Sequence, residues 1–88
     1  MRVVSFYEMA PDALSKVMVH YPAHLARLDA FHSRGALIAA GPFGNPPKGA
    51  MAIFPNRESA EEFIAGDPFV TNGLVASWRL EDWNAVFI

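Results

Sequence analysis

The sequence predicts an α+β fold of ferredoxin-like type, β-α-β-β-α-β, with four antiparallel strands carrying two helices on one face. Three observations point there. The chain has 88 residues, enough for one hydrophobic core and too few for a second. Glycine and proline fall at points that cut it into six segments. The segments read in turn as apolar strand or helical period, with no repeat, linker or low-complexity stretch between them. Residues 1–88 are therefore expected to form one domain.

The elements follow in order. Val3 to Tyr7 is rich in β-branched and aromatic residues and reads as a strand. Pro11 suits the first turn of a helix, and Ala13 to Val19 can be helical. Pro22 lacks an N–H and crowds the preceding turn, so it either kinks this helix or starts a new one near Tyr21. Leu25, Leu28 and Phe31 then recur at helical spacing, Arg27 and Arg34 are available for the solvent side, and Gly35 stops the helix.

Ala36 to Ala40 reads as a short apolar strand closed by Gly41-Pro42. Gly44 to Gly49 is turn chemistry, and Ala50 to Phe54 is the returning strand of an antiparallel hairpin. Asn56 or Ser59 caps the second helix, Ser59 and Glu62 having the spacing of a capping box, and Gly66 ends it. Asp67-Pro68-Phe69 starts a turn or a single helical loop, and Leu74 to Trp83 is the last strand.

Composition narrows the function classes. Hydrophobic residues make up 52% and charged residues 18%, against a usual charged share of about 25%. A chain this apolar is not a disordered tail. The net charge of −2 and the scatter of the seven Lys and Arg give no footprint for nucleic acid or anionic lipid. No cysteine is present, which removes disulfides, thiolate catalysis and Cys-ligated zinc. No segment approaches the roughly 20 apolar residues of a membrane span, and the N-terminus lacks a signal-peptide pattern, so a cytoplasmic location is expected. The strands alternate poorly between apolar and polar residues: Val4 and Phe6 lie opposite Val3, Ser5 and Tyr7, and Met51 and Ile53 opposite Ala50, Ala52 and Phe54. Two helices cover one face only, so the other is expected to pack on the same face of a second copy, forming a symmetric dimer.

Phosphate-loop, dinucleotide and nucleophile-elbow motifs are absent. Three histidines remain as titratable groups near neutrality. His20 and His24 have the spacing of a helical chelate, but Pro22 stands between them and no third ligand is spaced to join them, so no metal site is expected. A helix starting at Tyr21 or Pro22 would put His24 in its first turn. There the positive end of the helix dipole favours the neutral imidazole that a general base needs. The alternative is a structural histidine at the core margin. His32 reads as a surface or C-terminal capping residue. Asp67 before Pro68 is a good N-cap, or its carboxylate pairs with a histidine. Tyr7 and Phe43, at strand ends, are candidate substrate-binding walls, or ordinary core and interface aromatics.

Tyr21-Pro22-Ala23-His24-Leu25-Ala26-Arg27-Leu28, then Gly35, then Ala40-Gly41-Pro42, then Asp67-Pro68-Phe69 resemble the YciI-like (YCII-related) family over nearly the whole chain. Many members carry arginine where this chain has Tyr21, and the turn after Gly41-Pro42 is shorter here than in some. The resemblance implies a ferredoxin-like fold, a homodimer of the dimeric α+β barrel type, and a histidine–aspartate active site matching His24 and Asp67. It also implies chemistry related to a dehydrochlorinase of a chlorinated hydroxyhydroquinone, to muconolactone isomerases and to cofactor-free monooxygenases. The expectation is thus a small enzyme of lyase or isomerase type without cofactor. His24 would move a proton on a small cyclic or aromatic, anionic substrate, and Asp67 would orient it. The alternatives are a non-catalytic small-molecule-binding or accessory dimeric module, and a monooxygenase using only substrate and oxygen.

Overall fold

The computed structural model describes residues 1–88. Four strands form one antiparallel sheet in the order β2-β3-β1-β4, with β1 Arg2–Met9, β2 Ala39–Phe43, β3 Gly49–Phe54 and β4 Val75–Trp83. Three helices accompany it: α1 Val17–Ser33, α2 Arg57–Gly66 and the single turn α3 Pro68–Thr71. This is the ferredoxin-like arrangement that the order of segments predicts. The central pairing registers Val3 with Phe54, Ser5 with Ala52 and Tyr7 with Ala50, and these residues turn toward the helices.

The core lies between this face and the helices. Phe31 of α1, Phe63 and Ile64 of α2, and Val3, Ala52 and Phe54 of the sheet form one buried cluster. Ala13, Phe69 and Leu74 form a smaller one under α3. Phe63 meets Phe31 edge-on at 5.1 Å between ring centroids, a favoured aromatic geometry.

Four local expectations change. Pro22 does not break the helix. A 3₁₀ turn at Ala13–Ser15 leads into α1, which runs unbroken from Val17 to Ser33 with Pro22 inside it. Proline costs the helix its bond to the carbonyl of Met18, but Met18 and Pro22 both face solvent, where water replaces the lost partner. Second, β2 sits three residues later than predicted and includes Gly41 and Pro42. It is an edge strand, so proline's missing N–H need not face a neighbour. Third, Asn56 caps α2 by accepting from the Ser59 amide at 2.8 Å. Glu62 does not close a capping box; its carboxylate accepts from Arg34 at 2.8 Å. Fourth, Arg27 is not on a solvent face but packs against α2. Gly35 ends α1 as expected, at φ +77°, and the Ala36 amide returns to the Phe31 carbonyl at 2.8 Å.

The face away from the helices is apolar along β3 and β1, through Met51, Ile53, Val4 and Phe6. Its β4 edge is polar, with Ser77, Arg79 and Glu81 in register with Glu8, Phe6 and Val4. Arg79 lies over the Phe6 ring at 4.3 Å. The apolar surplus is therefore narrower than alternation alone suggests. No helix is long and apolar enough to cross a membrane.

Candidate functional site

The sequence between α2 and β4 places one carboxylate deep in the protein. Asp67 ends α2 and caps α3, with Pro68 at the first helical position and the Phe69 amide donating to Asp67 Oδ1 at 3.1 Å. This is the capping role the Asp-Pro pair predicts. The carboxylate is fully buried, at 0% exposure, and such a charge needs partners. It has them: Tyr7 donates its hydroxyl to Oδ2 at 2.8 Å, and His24 Nδ1 lies 2.6 Å from Oδ1. No buried side-chain nitrogen or oxygen in the protein lacks a partner. Asp67 thus fills both roles that the sequence leaves open for it, helix cap and histidine partner.

His24 is held on three sides. Its ring stacks on Phe69 at 3.9 Å and 6° between planes, meets Phe63 edge-on at 6.3 Å, and bonds Asp67 through Nδ1. Its position corrects the dipole expectation. Because α1 starts at Val17, His24 stands in an interior turn, beyond the reach of the N-terminal partial charge. The carboxylate takes over the tautomer-setting role. An ionised carboxylate accepts only, so in neutral His24 the proton sits on Nδ1 and the lone pair on Nε2. Nε2 makes no bond within the chain, and the side chain keeps 14% exposure.

That exposure opens onto a cavity of about 320 Å³ between α1 and the β2–β3 hairpin. On one wall stand Val17, Tyr21, His24, Leu25 and Leu28, the inward stripe of α1. On the other are Ala40, Gly41, Pro42, Gly49, Ala50 and Ala52. The β2 and β3 side chains that alternation turns toward α1, those of Ala40, Pro42, Ala50 and Ala52, are small, so the helix does not close onto the sheet there and a space remains. Tyr7, Ser5, Phe63 and Phe69 line the inner end. The polar side chains on the lining are those of Ser5, Tyr7, Tyr21 and His24; no Lys, Arg, Asp or Glu is among them. The anionic substrate expected from the sequence thus finds no fixed cation in this cavity.

The cavity contains two of the sequence-predicted site residues, His24 and Tyr7, and Asp67 lies directly behind them. Tyr7 is more than a wall. Burial first, then the Asp67 charge and the hydrogen bond to it, push its hydroxyl far above the ordinary tyrosine value, so it remains a protonated donor. Phe43 is placed elsewhere. Pro42, its neighbour on β2, turns to the cavity, so alternation sends Phe43 to the far face, where it is 43% exposed. Sequence reasoning misses Leu25 and the small residues of β2 and β3 as lining groups, because the apolar stripe of α1 reads as core. His32 bonds the Leu37 carbonyl at 3.0 Å across the turn after α1, and His20 stands apart from the site. No three His, Cys, Asp or Glu side chains come close enough together to hold a metal ion.

Comparison with known proteins bears on family through sequence and on fold through structure. A profile of the YCII-related domain matches residues 1–84. The chain is 32% identical to Protein YciI of Escherichia coli O6:H1 over 98 aligned positions, covering 99% of this chain and all of that protein. It is 30% identical to a protein of Haemophilus influenzae over the same span. Among solved structures it is similar to 5-chloro-2-hydroxyhydroquinone dehydrochlorinase from Burkholderia phenoliruptrix AC1100, in complex with 2,5-dihydroxybenzoquinone. The TM-score is 0.78 at 23% identity, over 96% of this chain and 94% of that one. An antibiotic biosynthesis monooxygenase superposes with a TM-score of 0.62 at 14% identity, over 97% of both chains. At these identities the structural likenesses carry the fold.

Proposed function

The chain belongs to the YCII-related domain family, and on that premise we propose that it is a small acid–base enzyme of lyase or isomerase type. Its substrate is an uncharged one-ring compound bearing an acidic hydroxyl or C–H. The single observation that carries the reading is the 2.6 Å contact of His24 Nδ1 with a fully buried carboxylate, on the wall of an apolar cavity.

Each part of the site has a task in this reading. The cavity, about 320 Å³, is at the small end of ligand pockets, which run from about 300 to 1,000 Å³. Its apolar walls select a compact ring. His24 Nε2 takes a proton from the substrate, and the negative charge left on the ring faces the new imidazolium. Asp67, ionised behind the ring, stabilises that imidazolium, as the buried aspartate does in hydrolytic triads. Tyr7 and the Phe69 amide hold the carboxylate in place. The electron pair released by deprotonation then expels a leaving group such as chloride, so that the net change is loss of HCl. Alternatively the same proton is returned at another ring carbon, an isomerisation. General acid–base help of this kind is worth about 10²–10⁴-fold in rate. The dehydrochlorinase likeness supports a hydroxylated ring as the first substrate class to test. We further propose that the apolar part of the open sheet face, around Phe6 and Met51, pairs with the same face of a second copy in a homodimer.

The test is turnover of a panel of chlorinated hydroquinones and muconolactones by the native chain and by His24→Gln. The expected result is turnover that falls by about 10² or more on substitution. Turnover that survives the substitution rejects His24 as the base. Ligand-dependent thermal stabilisation with no turnover favours a binding module instead.

A further inference from the structure

The same stretch of α1 that carries His24 also carries Arg27, and the segment it meets stands next to Asp67. Arg27 Nε donates to the Phe63 carbonyl at 3.1 Å and Nη2 to the Glu62 carbonyl at 2.7 Å. These carbonyls belong to the last part of α2, where the helix's negative end attracts a cation. The guanidinium carbon lies 4.7 Å from the Phe31 ring centroid and 5.6 Å from that of Phe63, within cation–π range. Gly66 completes the arrangement. A Cβ placed on it would stand 2.6 Å from Arg27 Nη2, 2.7 Å from Cζ and 2.9 Å from Nη1. The guanidinium thus occupies the room that any larger residue at this position would take.

We propose that Arg27 and Gly66 act as a positioning clamp for the His24–Asp67 pair, an inference that rests on the reading of that pair as the functional one. Two contacts then bridge α1 to the α2–α3 junction. His24 and Arg27, one helical turn apart, engage Asp67 and the end of α2 beside Gly66. Aromatic packing of Phe31 on Phe63 and of His24 on Phe69 also holds α1 here, but from α1 only Arg27 bonds the backbone of α2 directly. A guanidinium holds two carbonyls in a fixed fork, which a lysine ammonium cannot reproduce. Arg27 therefore sets the distance at which the imidazole meets its carboxylate, and Gly66 admits it.

The experiment reads the pair directly by proton NMR. A proton shared between Nδ1 and a carboxylate at this distance gives a far-downfield resonance, assigned by its loss in His24→Gln. Arg27→Met and Gly66→Ala are expected to broaden it into the solvent or move it upfield while far-UV circular dichroism keeps the native helix content. Arg27→Lys is expected to weaken it less. Arg34→Met, which removes another α1–α2 link, the exposed pair with Glu62 at 2.8 Å, is expected to leave it in place. An unchanged resonance in folded Arg27→Met or Gly66→Ala overturns the clamp. So does equal loss in Arg34→Met, or absence of the resonance from the native chain. If Arg27→Met does not fold, Gly66→Ala and Arg27→Lys decide the matter by the same resonance. Turnover measured on His24→Gln tests the catalytic reading separately, so failure of one is distinguishable from failure of the other.

Discussion

Asp67 Oδ1 lies 2.6 Å from His24 Nδ1 while Asp67 Oδ2 receives the hydroxyl of Tyr7 at 2.8 Å. One buried carboxylate thereby joins the first strand, the first helix and the turn before the last strand. Its charge can be removed with little change of shape. Asp67→Asn keeps an oxygen for the Phe69 amide and for His24, but it removes the charge that strengthens the His24 bond and puts an amide nitrogen where Tyr7 has its acceptor. It is expected to cost about 1.5–3 kcal/mol, the range for hydrogen bonds to charged groups. Turnover is expected to fall by about 10²-fold or more, the share of the base it orients. Urea denaturation and steady-state kinetics check both; an unchanged urea midpoint would place the carboxylate outside the stabilising network.

Tyr7 gives a prediction in pH. Its hydroxyl is held far above the ordinary tyrosine value, first by burial and then by Asp67. In the unfolded chain the phenol ionises near pH ~10, whereas in the folded protein it stays protonated. The folded state therefore binds the extra proton, and its stability falls as pH rises. Below about pH 10 the contribution is complete; above it, each pH unit costs about 1.4 kcal/mol. Of the two tyrosines, one is expected to remain silent in an alkaline phenolate titration until the protein unfolds. In Tyr7→Phe that silent group should be gone.

His24→Gln is expected to leave the fold in place. The ring's stacking on Phe69 at 3.9 Å is lost, about 1 kcal/mol by the usual worth of an aromatic pair, and about 1.5–3 kcal/mol more wherever the glutamine amide does not replace the bond to Asp67. Thermal unfolding should shift modestly while turnover falls steeply. Collapse of the native circular dichroism would mean that His24 is chiefly structural.

Dimer formation is tested on the open face. Met51 and Phe6 are in register on β3 and β1 and point away from the helices. A glutamate in place of Met51 would bury a charge in the proposed interface, a cost of several kcal/mol. Sedimentation should show the native chain at twice its 9.7 kDa and Met51→Glu at that mass. A native chain that sediments as a monomer at micromolar concentration contradicts the proposal.

The fold is legible in the sequence because each boundary carries local chemistry: Gly35 ending α1, the Gly44–Gly49 turn, Asn56 capping α2, Asp67-Pro68 opening α3. The helix through Pro22 is not. Local rules weigh the lost hydrogen bond, but they do not register that the freed carbonyl faces water. The strand at Gly41-Pro42 escapes for a similar reason, because edge placement is a property of the whole sheet. At the site, His24 and Asp67 stand out by residue type and resemblance. Tyr7 can be named only as an aromatic at a strand end, since its bond to Asp67 spans 60 positions in sequence. The cavity is hidden because Ala40, Ala50 and Ala52 look like ordinary small strand residues until a helix fails to close over them.

Everything proposed for the site depends on His24 presenting an unprotonated Nε2 to the cavity because Asp67 holds its other proton. Nitrogen-15 NMR of the two ring nitrogens reads this without intermediaries, first in the free protein at a pH where the imidazole is neutral, then with a one-ring phenol that is still protonated at that pH, such as a chlorinated hydroquinone. The expected spectra show a protonated Nδ1 and a bare Nε2 in the free protein, and protonation of Nε2 when the ligand enters. A free protein whose neutral His24 carries its proton on Nε2 would contradict the proposed base.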